Sequence, residues 1–167
     1  MSRRDQIKMT PDEALAFFDE EKTVICATNG HDGFPHLMPL WYVLRGHRRP
    51  DAGGPWELWS WTYAKSQKVR NLERDSRATV QVEAGTEYQE LRGVMFKCDV
   101  EVIRDTVRVA QLGLEIFARY TGAGDVASLD DSVRGMVLGQ ASKRVALHFV
   151  ERERATWDHR KLAAGVY

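Results

Sequence analysis

The sequence predicts an α+β fold in which one antiparallel β-barrel carries a few helices at its periphery. Three observations lead to this prediction. About six segments have strand character, turn-forming residues separate them, and only a few segments have helical periodicity. Strands joined by turn-rich connections, with the helices set aside, are typical of an antiparallel barrel in an α+β domain. The length of 167 residues suits a single domain, residues 1–167, with a sizeable core.

The chain begins with a short helix and a buried strand. Thr10 can cap a helix, Pro11 suits its first position and Glu13 completes a capping box, so a helix is predicted over residues 10–21. Residues 23–28 (TVICAT) read as a buried strand. The Asn-Gly and Asp-Gly pairs that follow are turn-forming and predict a tight connection to the next strand.

The next two strands enclose a polar loop. Residues 35–44 (PHLMPLWYVL) predict a second strand, which Pro39 interrupts. Proline cannot donate a hydrogen bond to a strand ladder, so Pro39 implies an edge, a bulge or a place where a ligand meets the backbone. A loop rich in Arg, Pro and Gly is predicted over residues 45–55, and the aromatic residues within 56–63 predict the third strand.

Three further strands and two helices complete the predicted domain. Their ranges are 78–83, 89–103 and 145–149 for the strands, and 107–120 and 130–138 for the helices. Gly93 breaks the longest of these strands. A glycine inside a strand weakens it unless something needs the space, so Gly93 predicts a close neighbour.

The composition excludes several classes of protein. Basic and acidic side chains balance at 24 each, so no global field draws the chain to nucleic acid or to a membrane surface. No apolar run approaches the length of a bilayer span, and the first ten residues lack the apolar stretch of a secretory signal. Cys26 and Cys98 lie in apolar strand segments, which favours buried thiols over a disulfide or a zinc site. We therefore predict a cytoplasmic protein without a metal site.

The segment 59–72, WSWTYAKSQKVRNL, carries the strongest functional signal. An aromatic strand runs into the turn Ser66-Gln67-Lys68, and a helix is predicted from there to about Asp75. Backbone N–H groups are free at a helix N-terminus, the helix dipole favours negative charge, and Ser66 and Lys68 add donors. Three or four charge-assisted hydrogen bonds of about 1.5–3 kcal/mol each are enough to hold a phosphate. On spacing alone, an equal alternative is that Ser66 only caps the helix while Lys68 is solvated.

Four segments carry a family resemblance, in an order that spans most of the chain. They are TVICATN followed by DGFPHLMPLWYV, then WTYAKSQKVRNLERDSRA, then ELRGV, and finally TWDHRKL. Together they resemble the split β-barrel flavoproteins related to pyridoxamine 5′-phosphate oxidase, which include the actinobacterial F420-dependent reductases. The resemblance implies an antiparallel six-stranded split β-barrel (FMN-binding split barrel) with peripheral helices. It also implies a homodimer that binds its cofactor at the subunit interface.

The resemblance further implies which residues bind the cofactor. The phosphate is expected at Thr62, Ser66, Gln67 and Lys68. The ring is expected at Leu40, Trp41, Tyr42, Val43 and Trp61, with Asn71 as a further contact. The C-terminal segment that closes the partner's site would contribute Trp157 and Lys161, with His159 and Arg160. Several positions also have plainer interpretations. Trp41 and Trp61 could be core residues, Asn71 could bond within its helix, and residues 156–162 could be a solvated tail.

The sequence leaves two candidate cofactors, FMN and F420. FMN and F420 both carry a phosphate at the end of the chain that bears the ring, so the predicted anion site accepts either. F420 has further negative charges in its tail, for which Arg3, Arg4 and Lys8, or residues 45–49, could form a basic rim. The Ser-Gln-Lys form of the turn favours F420 slightly. The family's arginine-rich strand reads LMPLWYVL here, which disfavours pyridoxamine 5′-phosphate itself as the substrate.

The predicted function is therefore that of an oxidoreductase, transferring a hydride between the bound ring and a small conjugated substrate. One alternative is an FMN-dependent oxidase or reductase of the same fold. Another is a non-catalytic protein that stores or delivers F420 or flavin. Haem binding is a third, with His36, His148 or His159 as the axial ligand. No catalytic residue is assigned, although Tyr42 or His36 could donate a proton to the substrate.

Overall fold

Residues 2–46 and 56–162 are described by a computed structural model of the chain, and they form one curled antiparallel sheet with helices around it. The helices are α1 (Arg3–Gln6), α2 (Pro11–Glu20), α3 (Gln67–Arg74), α4 (Thr106–Tyr120) and α5 (Asp131–Ala141), with short 3-10 helices at Tyr88–Glu90 and His159–Lys161. The strands are β1 (Val24–Asn29), β2 (Pro35–Leu40), β3 (Tyr42–Arg45), β4 (Glu57–Tyr63), β5 (Arg77–Ala84), β6 (Arg92–Ile103) and β7 (Arg144–Asp158).

The order of the strands explains how the sheet becomes a split barrel. Neighbouring strands follow the order β2-β1-β5-β6-β7-β4-β3, and every pair is antiparallel. Strands β2 and β3 stand at opposite ends of this order, yet only Trp41 separates them in the chain. The chain path therefore brings the two ends of the sheet together at Trp41. With β2 and β3 counted as one strand the barrel has six, so the predicted fold class is confirmed.

Two boundaries differ from the prediction. The second predicted strand divides at Trp41, whereas Pro39 stays inside β2, which is an end strand of the sheet. The edge alternative for Pro39 is therefore the right one. The last strand was predicted over 145–149 but continues to Asp158, paired with β6 along most of its length. Its second half, VERERAT, is polar on both faces and so lacks the alternation that marks a half-buried strand.

The buried residues form two clusters. The first fills the barrel and includes Phe17 and Phe18 of α2. The second lies between the outer face of the sheet and helices α4 and α5, and it includes Trp59 and Trp61. Strand β4 is therefore covered on both sides. Cys26 and Cys98 are free and buried, as predicted, and desolvation raises the pKa of each thiol to about 12.

Gly93 lies opposite Trp157 in the β6–β7 ladder. A Cβ atom at position 93 would lie 2.0 Å from Cζ2 of the Trp157 indole, so only glycine leaves the ring its space. The predicted close neighbour is thus Trp157, and it joins the ELRGV and TWDHRKL segments of the sequence. No helix within residues 2–46 and 56–162 is long and apolar enough to cross a bilayer.

Replacing Gly93 with Ala is expected to lower the free energy of unfolding by about 1–3 kcal/mol, because the new methyl group overlaps the indole. Urea denaturation measures this change, and adding Trp157→Ala should recover part of the loss. Gly135→Ala is the matched control, since nothing lies within 4 Å of a Cβ built at that helical glycine. A Gly93→Ala variant as stable as the unmodified protein would contradict the packing described above.

Candidate cofactor site

The turn between β4 and α3 presents free backbone donors. Strand β4 ends at Tyr63, and α3 begins at Gln67 with Ser66 in the N-cap position, in extended backbone geometry. The amide of Val69 donates to the carbonyl of Ser66 at 3.1 Å. Within the described ranges, the amides of Gln67 and Lys68 have no such acceptor. Two N–H groups at the positive end of the helix dipole are therefore available to an anion.

The hydroxyl of Ser66 lies in the same turn. Its Oγ atom is buried and has no hydrogen-bond partner among the described residues, and it makes no capping bond to α3. The interpretation that Ser66 only caps the helix is therefore wrong. A buried hydroxyl without a partner costs about 1–3 kcal/mol, and an anionic oxygen at this position would relieve that cost.

Lys68 is buried at 5% exposure, so the interpretation that it is solvated is also wrong. Its Nζ atom donates to Oγ1 of Thr62 at 3.0 Å, and this hydroxyl is its one hydrogen-bond partner in the described part of the chain. Burial lowers the pKa of the Lys68 ammonium. An ammonium that is removed from water and paired with one neutral hydroxyl is a strong attractor for an anion.

Asn71 of α3 is hydrogen-bonded both to the first residue of the helix and to strand β1. Its Oδ1 atom accepts from Nε2 of Gln67 at 2.9 Å, and its Nδ2 atom donates to Oγ1 of Thr28 at 3.0 Å. Asn71 and Thr28 are both buried. Of the two predictions for Asn71, the bond within the helix is thus present, and its amide ties α3 to β1. Sequence reasoning missed Thr28, whose one signal was a hydroxyl at the end of an apolar strand.

Trp41 sits at the split of the barrel and is 49% exposed, so plain core packing does not describe it. Its indole stacks on Tyr120 of α4, with ring centroids 4.4 Å apart and planes 15° from parallel. The carbonyl oxygen of Trp41 accepts from Oγ of Ser60 at 2.6 Å. Ser60 lies two residues before Thr62 on the same face of β4, so the backbone of Trp41 is tied to the strand that leads to the anion site.

The other predicted ring contacts need correction. The side chains of Leu40 and Tyr42 belong to the barrel core, and those of Val43 and Trp61 to the layer beneath α4. These four side chains are buried by packing, so the exposed Trp41 side chain and the backbone of residues 40–43 remain for a ring.

Tyr42 and Trp61 have partners that explain their burial. The Tyr42 hydroxyl lies 2.7 Å from the carbonyl oxygens of both Phe18 and Glu21, and burial raises its pKa. The prediction that Tyr42 donates a proton to substrate is therefore wrong. Trp61 packs on α4 at Gly113, where a Cβ would lie 2.5 Å from its ring, so the core interpretation of Trp61 is the right one.

Trp157 and Lys161 lie far from the β4–α3 turn along the strand. Thr62 pairs with Val145 near the start of β7, and the twelve residues from 145 to 157 span about 40 Å of strand at about 3.3 Å per residue. Lys161 Nζ contacts the carbonyl oxygen of Lys8 at 2.7 Å and Oε2 of Glu13 at 2.5 Å. It is therefore anchored rather than a solvated tail residue. A role for both residues in the site of a second subunit stays a prediction.

The histidines proposed as haem ligands are differently placed. His148 stacks on Trp59 at 4.1 Å with Nδ1 2.9 Å from Glu101, and His159 Nδ1 lies 2.8 Å from the carbonyl oxygen of Tyr88. His36 differs, because its Nδ1 is buried and has no partner among the described residues. Within those residues, no three His, Cys, Asp or Glu side chains are grouped as metal ligands.

The predicted basic rim is only partly available. Lys8 pairs with Asp5 at 3.0 Å, and Arg45 pairs with Glu115 at 2.9 Å. Arg3 and Arg4 in α1 are exposed, whereas residues 47–49 of the second basic group lie outside the described residues.

Sequence reasoning missed the residue that fixes the start of β3. Arg119 of α4 donates through Nη1 to the carbonyl oxygen of Tyr42 at 2.7 Å, and through Nη2 to those of Phe18 at 2.5 Å and Glu21 at 2.9 Å. The next residue, Tyr120, accepts from the Tyr42 amide at 2.9 Å. Together Arg119 and Tyr120 provide hydrogen-bond partners for the backbone C=O and N–H groups of Tyr42, which begins the end strand β3 directly after Trp41. In the sequence Arg119 was simply a charge on a helix, so no local signal marked it.

Comparisons with known proteins identify the family of the fold. The family model of pyridoxamine 5′-phosphate oxidase matches residues 10–149. The conserved hypothetical protein Rv2991 from Mycobacterium tuberculosis shares 34% identity, with 99% of this chain and 98% of that chain covered and a TM-score of 0.79. No curated protein sequence matches.

Two more distant structures share the fold. An F420 reductase is 18% identical, with 87% and 98% of the two chains covered and a TM-score of 0.63. The haem storage protein HutZ from Vibrio cholerae is 14% identical, with 89% and 96% covered and a TM-score of 0.62. At these identities the likeness extends to the fold, and the chemistry of the site has to be argued from its own residues.

Proposed function

The chain belongs to the pyridoxamine 5′-phosphate oxidase family, and on this premise we propose that it is an oxidoreductase that binds F420 or FMN. It transfers a hydride between the coenzyme ring and a small conjugated substrate. The observation that carries the proposal is the pairing of Ser66 and Lys68 at the start of α3. Among the residues that the structure describes, the Ser66 hydroxyl has no partner, the Lys68 ammonium has one neutral partner, and both lie beside two free amides.

The residues of the turn fit an ionised phosphate ester. The Ser66 hydroxyl, the Lys68 ammonium and the amides of Gln67 and Lys68 are all donors, and the free oxygen atoms of an ionised phosphate monoester or diester are acceptors. Helix α3 has eight residues, so its dipole adds a favourable positive potential at this end. A bound anion also offsets the desolvation that lowers the pKa of Lys68.

Trp41 fits the ring of the same ligand. A tricyclic ring has two apolar faces and a polar edge, which the exposed indole and the nearby backbone can cover. Tyr120 holds the indole in place before any ligand arrives, so less side-chain entropy is lost on binding. When bound, the coenzyme supplies the hydride chemistry, and the chain positions the ring and excludes water from one face.

We favour F420 over FMN within this proposal. The Ser-Gln-Lys turn supports this choice. Arg3 and Arg4 remain exposed and are available to the charged tail of F420. Haem storage is less well supported, because two of the three candidate axial histidines are engaged by neighbouring groups.

A homodimer completes the site in this proposal. Trp157 and Lys161 lie at the end of β7 away from the β4–α3 turn, and in this proposal they contribute to the site of a second copy. Apolar side chains at β2 support such a contact: Phe34, Leu37 and Met38 are 74%, 57% and 40% exposed. The same proposal makes the protein cytoplasmic, where reduced coenzyme is available.

Incubation with FMN and with F420 separately, followed by desalting and an absorbance spectrum, tests the binding step. We expect F420 absorbance to remain with the protein. Steady-state turnover with reduced F420 and a panel of conjugated substrates then tests the reaction. Retention of neither coenzyme would overturn the proposal, whereas tight binding without hydride transfer in stopped-flow measurements would point to a storage or delivery protein.

A further inference from the structure

His36 faces the same side of the sheet as helix α3. It pairs directly with Thr28 across β1 and β2, and directly opposed residues of an antiparallel pair project from the same face. The Thr28 hydroxyl accepts a hydrogen bond from Asn71 of α3, and Asn71 in turn accepts one from Gln67 at the first position of the helix. The His36 imidazole therefore lies on the face of the sheet that α3 contacts through Asn71.

Three buried side-chain atoms lack hydrogen-bond partners in the described part of the chain: His36 Nδ1, Ser66 Oγ and Arg144 Nε. All three adjoin the β4–α3 turn, because Ser66 lies within it and Arg144 pairs with Tyr63, where β4 ends. Buried polar atoms without partners are uncommon, since each costs about 1–3 kcal/mol. A polar ligand bound at the turn would satisfy Ser66 Oγ and could also reach one of the two atoms outside the turn.

Of the two atoms outside the turn, His36 Nδ1 is the one that a ligand can reach. The Arg144 guanidinium is held between the rings of Trp61 and Tyr63, at 4.4 and 4.2 Å from their centroids, on the opposite face of β4 from Thr62. Met38, by contrast, lies two residues from His36 on the same face of β2 and is 40% exposed. The sheet is thus open beside the imidazole.

We propose that His36 is a further ligand-binding residue, and that its Nδ1 atom hydrogen-bonds the phosphorylated polyol chain of the bound coenzyme. The proposal rests on the proposed function, because Ser66 and Lys68 fix the phosphate end of that chain. FMN and F420 share this chain, so His36 serves either coenzyme. The bond gives the buried Nδ1 a partner, which residues 2–46 and 56–162 do not provide.

Three substitutions of His36 test which ring nitrogen is used. His36→Asn keeps a polar atom near the position of Nδ1, His36→Gln keeps one near Nε2, and His36→Leu keeps neither. Dissociation constants for FMN and F420 come from calorimetric titration. We expect the Leu and Gln variants to bind about tenfold more weakly and the Asn variant to bind within about threefold of the unmodified protein. His31→Leu, at an exposed histidine in the turn after β1, is the matched control and should change nothing.

Thermal unfolding of the ligand-free variants separates binding from a structural role. Because Nδ1 is unpaired without ligand, His36→Leu should leave the midpoint unchanged or raise it. A lowered midpoint with equal loss of affinity in all three variants would make His36 a structural residue and overturn the inference.

Lys68→Met, measured in parallel, separates failure of this inference from failure of the proposed function. If Lys68→Met loses affinity while every His36 variant binds normally, the role of His36 is overturned and the phosphate site stands. If the unmodified protein binds neither coenzyme, both are overturned.

Discussion

Replacing Lys68 with Met is expected to weaken the binding of FMN and F420 by about 1.5–3 kcal/mol, roughly 10-fold to 150-fold. The same change should stabilise the ligand-free protein. The Lys68 ammonium is 5% exposed and has one neutral partner, Thr62, so its charge is poorly compensated until an anion binds. Methionine has a similar length and no charge to desolvate. Calorimetric titration measures the affinity, and urea denaturation measures the free energy of unfolding.

The pH dependence of stability gives a second signature of the same group. Burial lowers the pKa of folded Lys68 below 10.5, so the unfolded chain holds this proton more tightly than the folded chain. Stability should therefore rise with pH between the lowered pKa and 10.5 in the unmodified protein, and this contribution should be missing in Lys68→Met. Below the lowered pKa the ammonium is charged in both states and its cost to folding is present in full.

Lys65→Met is the control for Lys68→Met, because Lys65 belongs to the same turn but is exposed. Its affinity and stability should stay within about 0.5 kcal/mol of the unmodified protein. Unchanged coenzyme affinity in Lys68→Met would show that the phosphate binds elsewhere, and the proposed function would lose the observation that carries it.

The anion site was predictable because it is built from neighbours in the sequence. Ser66, Gln67 and Lys68 follow a strand and open a helix, so backbone geometry alone brings their donors to one point. Burial was not predictable in the same way. Whether Lys68 is solvated or enclosed depends on the barrel wall that Thr62 and Cys26 form around it, and these contacts are not encoded in local spacing.

The burial of Tyr42 and Trp61, two of the residues expected around the ring, was unpredictable for a related reason. Tyr42 and Trp61 lie in strands whose residues alternate, but alternation does not reveal which face a later helix will cover. Helix α4, which begins more than forty residues after Trp61, covers the outer face of β4 and buries its indole at Gly113. The far half of β7 was missed because charged pairs such as Lys97–Glu153, rather than apolar burial, line its ladder with β6.

Replacing Arg119 with Met is expected to lower the free energy of unfolding by about 3 kcal/mol or more, which makes it the most destabilising surface change we predict. The guanidinium donates to the carbonyl oxygens of Phe18 and Glu21 at the end of α2 and to that of Tyr42 at the start of β3. These bonds from a charged donor tie α4 to the end of α2, 98 to 101 residues away in the chain, and to β3, 77 residues away. Without them the carbonyl groups at the end of α2 lose their charged donor in a partly buried place and, among the described residues, share only the Tyr42 hydroxyl.

The same substitution should also reach the cofactor site, because Arg119 and its neighbour Tyr120 fix the chain beside Trp41. We expect the exposed indole to lose its orientation, so that coenzyme affinity falls with stability, in contrast to Lys68→Met, where the two move in opposite directions. Arg108→Met on the exposed side of α4 is the control and should cost no more than about 0.5 kcal/mol. Urea denaturation measures the free energy of unfolding of both variants. If Arg119→Met lowers it by less than about 1 kcal/mol, water replaces the guanidinium at these carbonyl groups. Packing alone would then hold the split of the barrel.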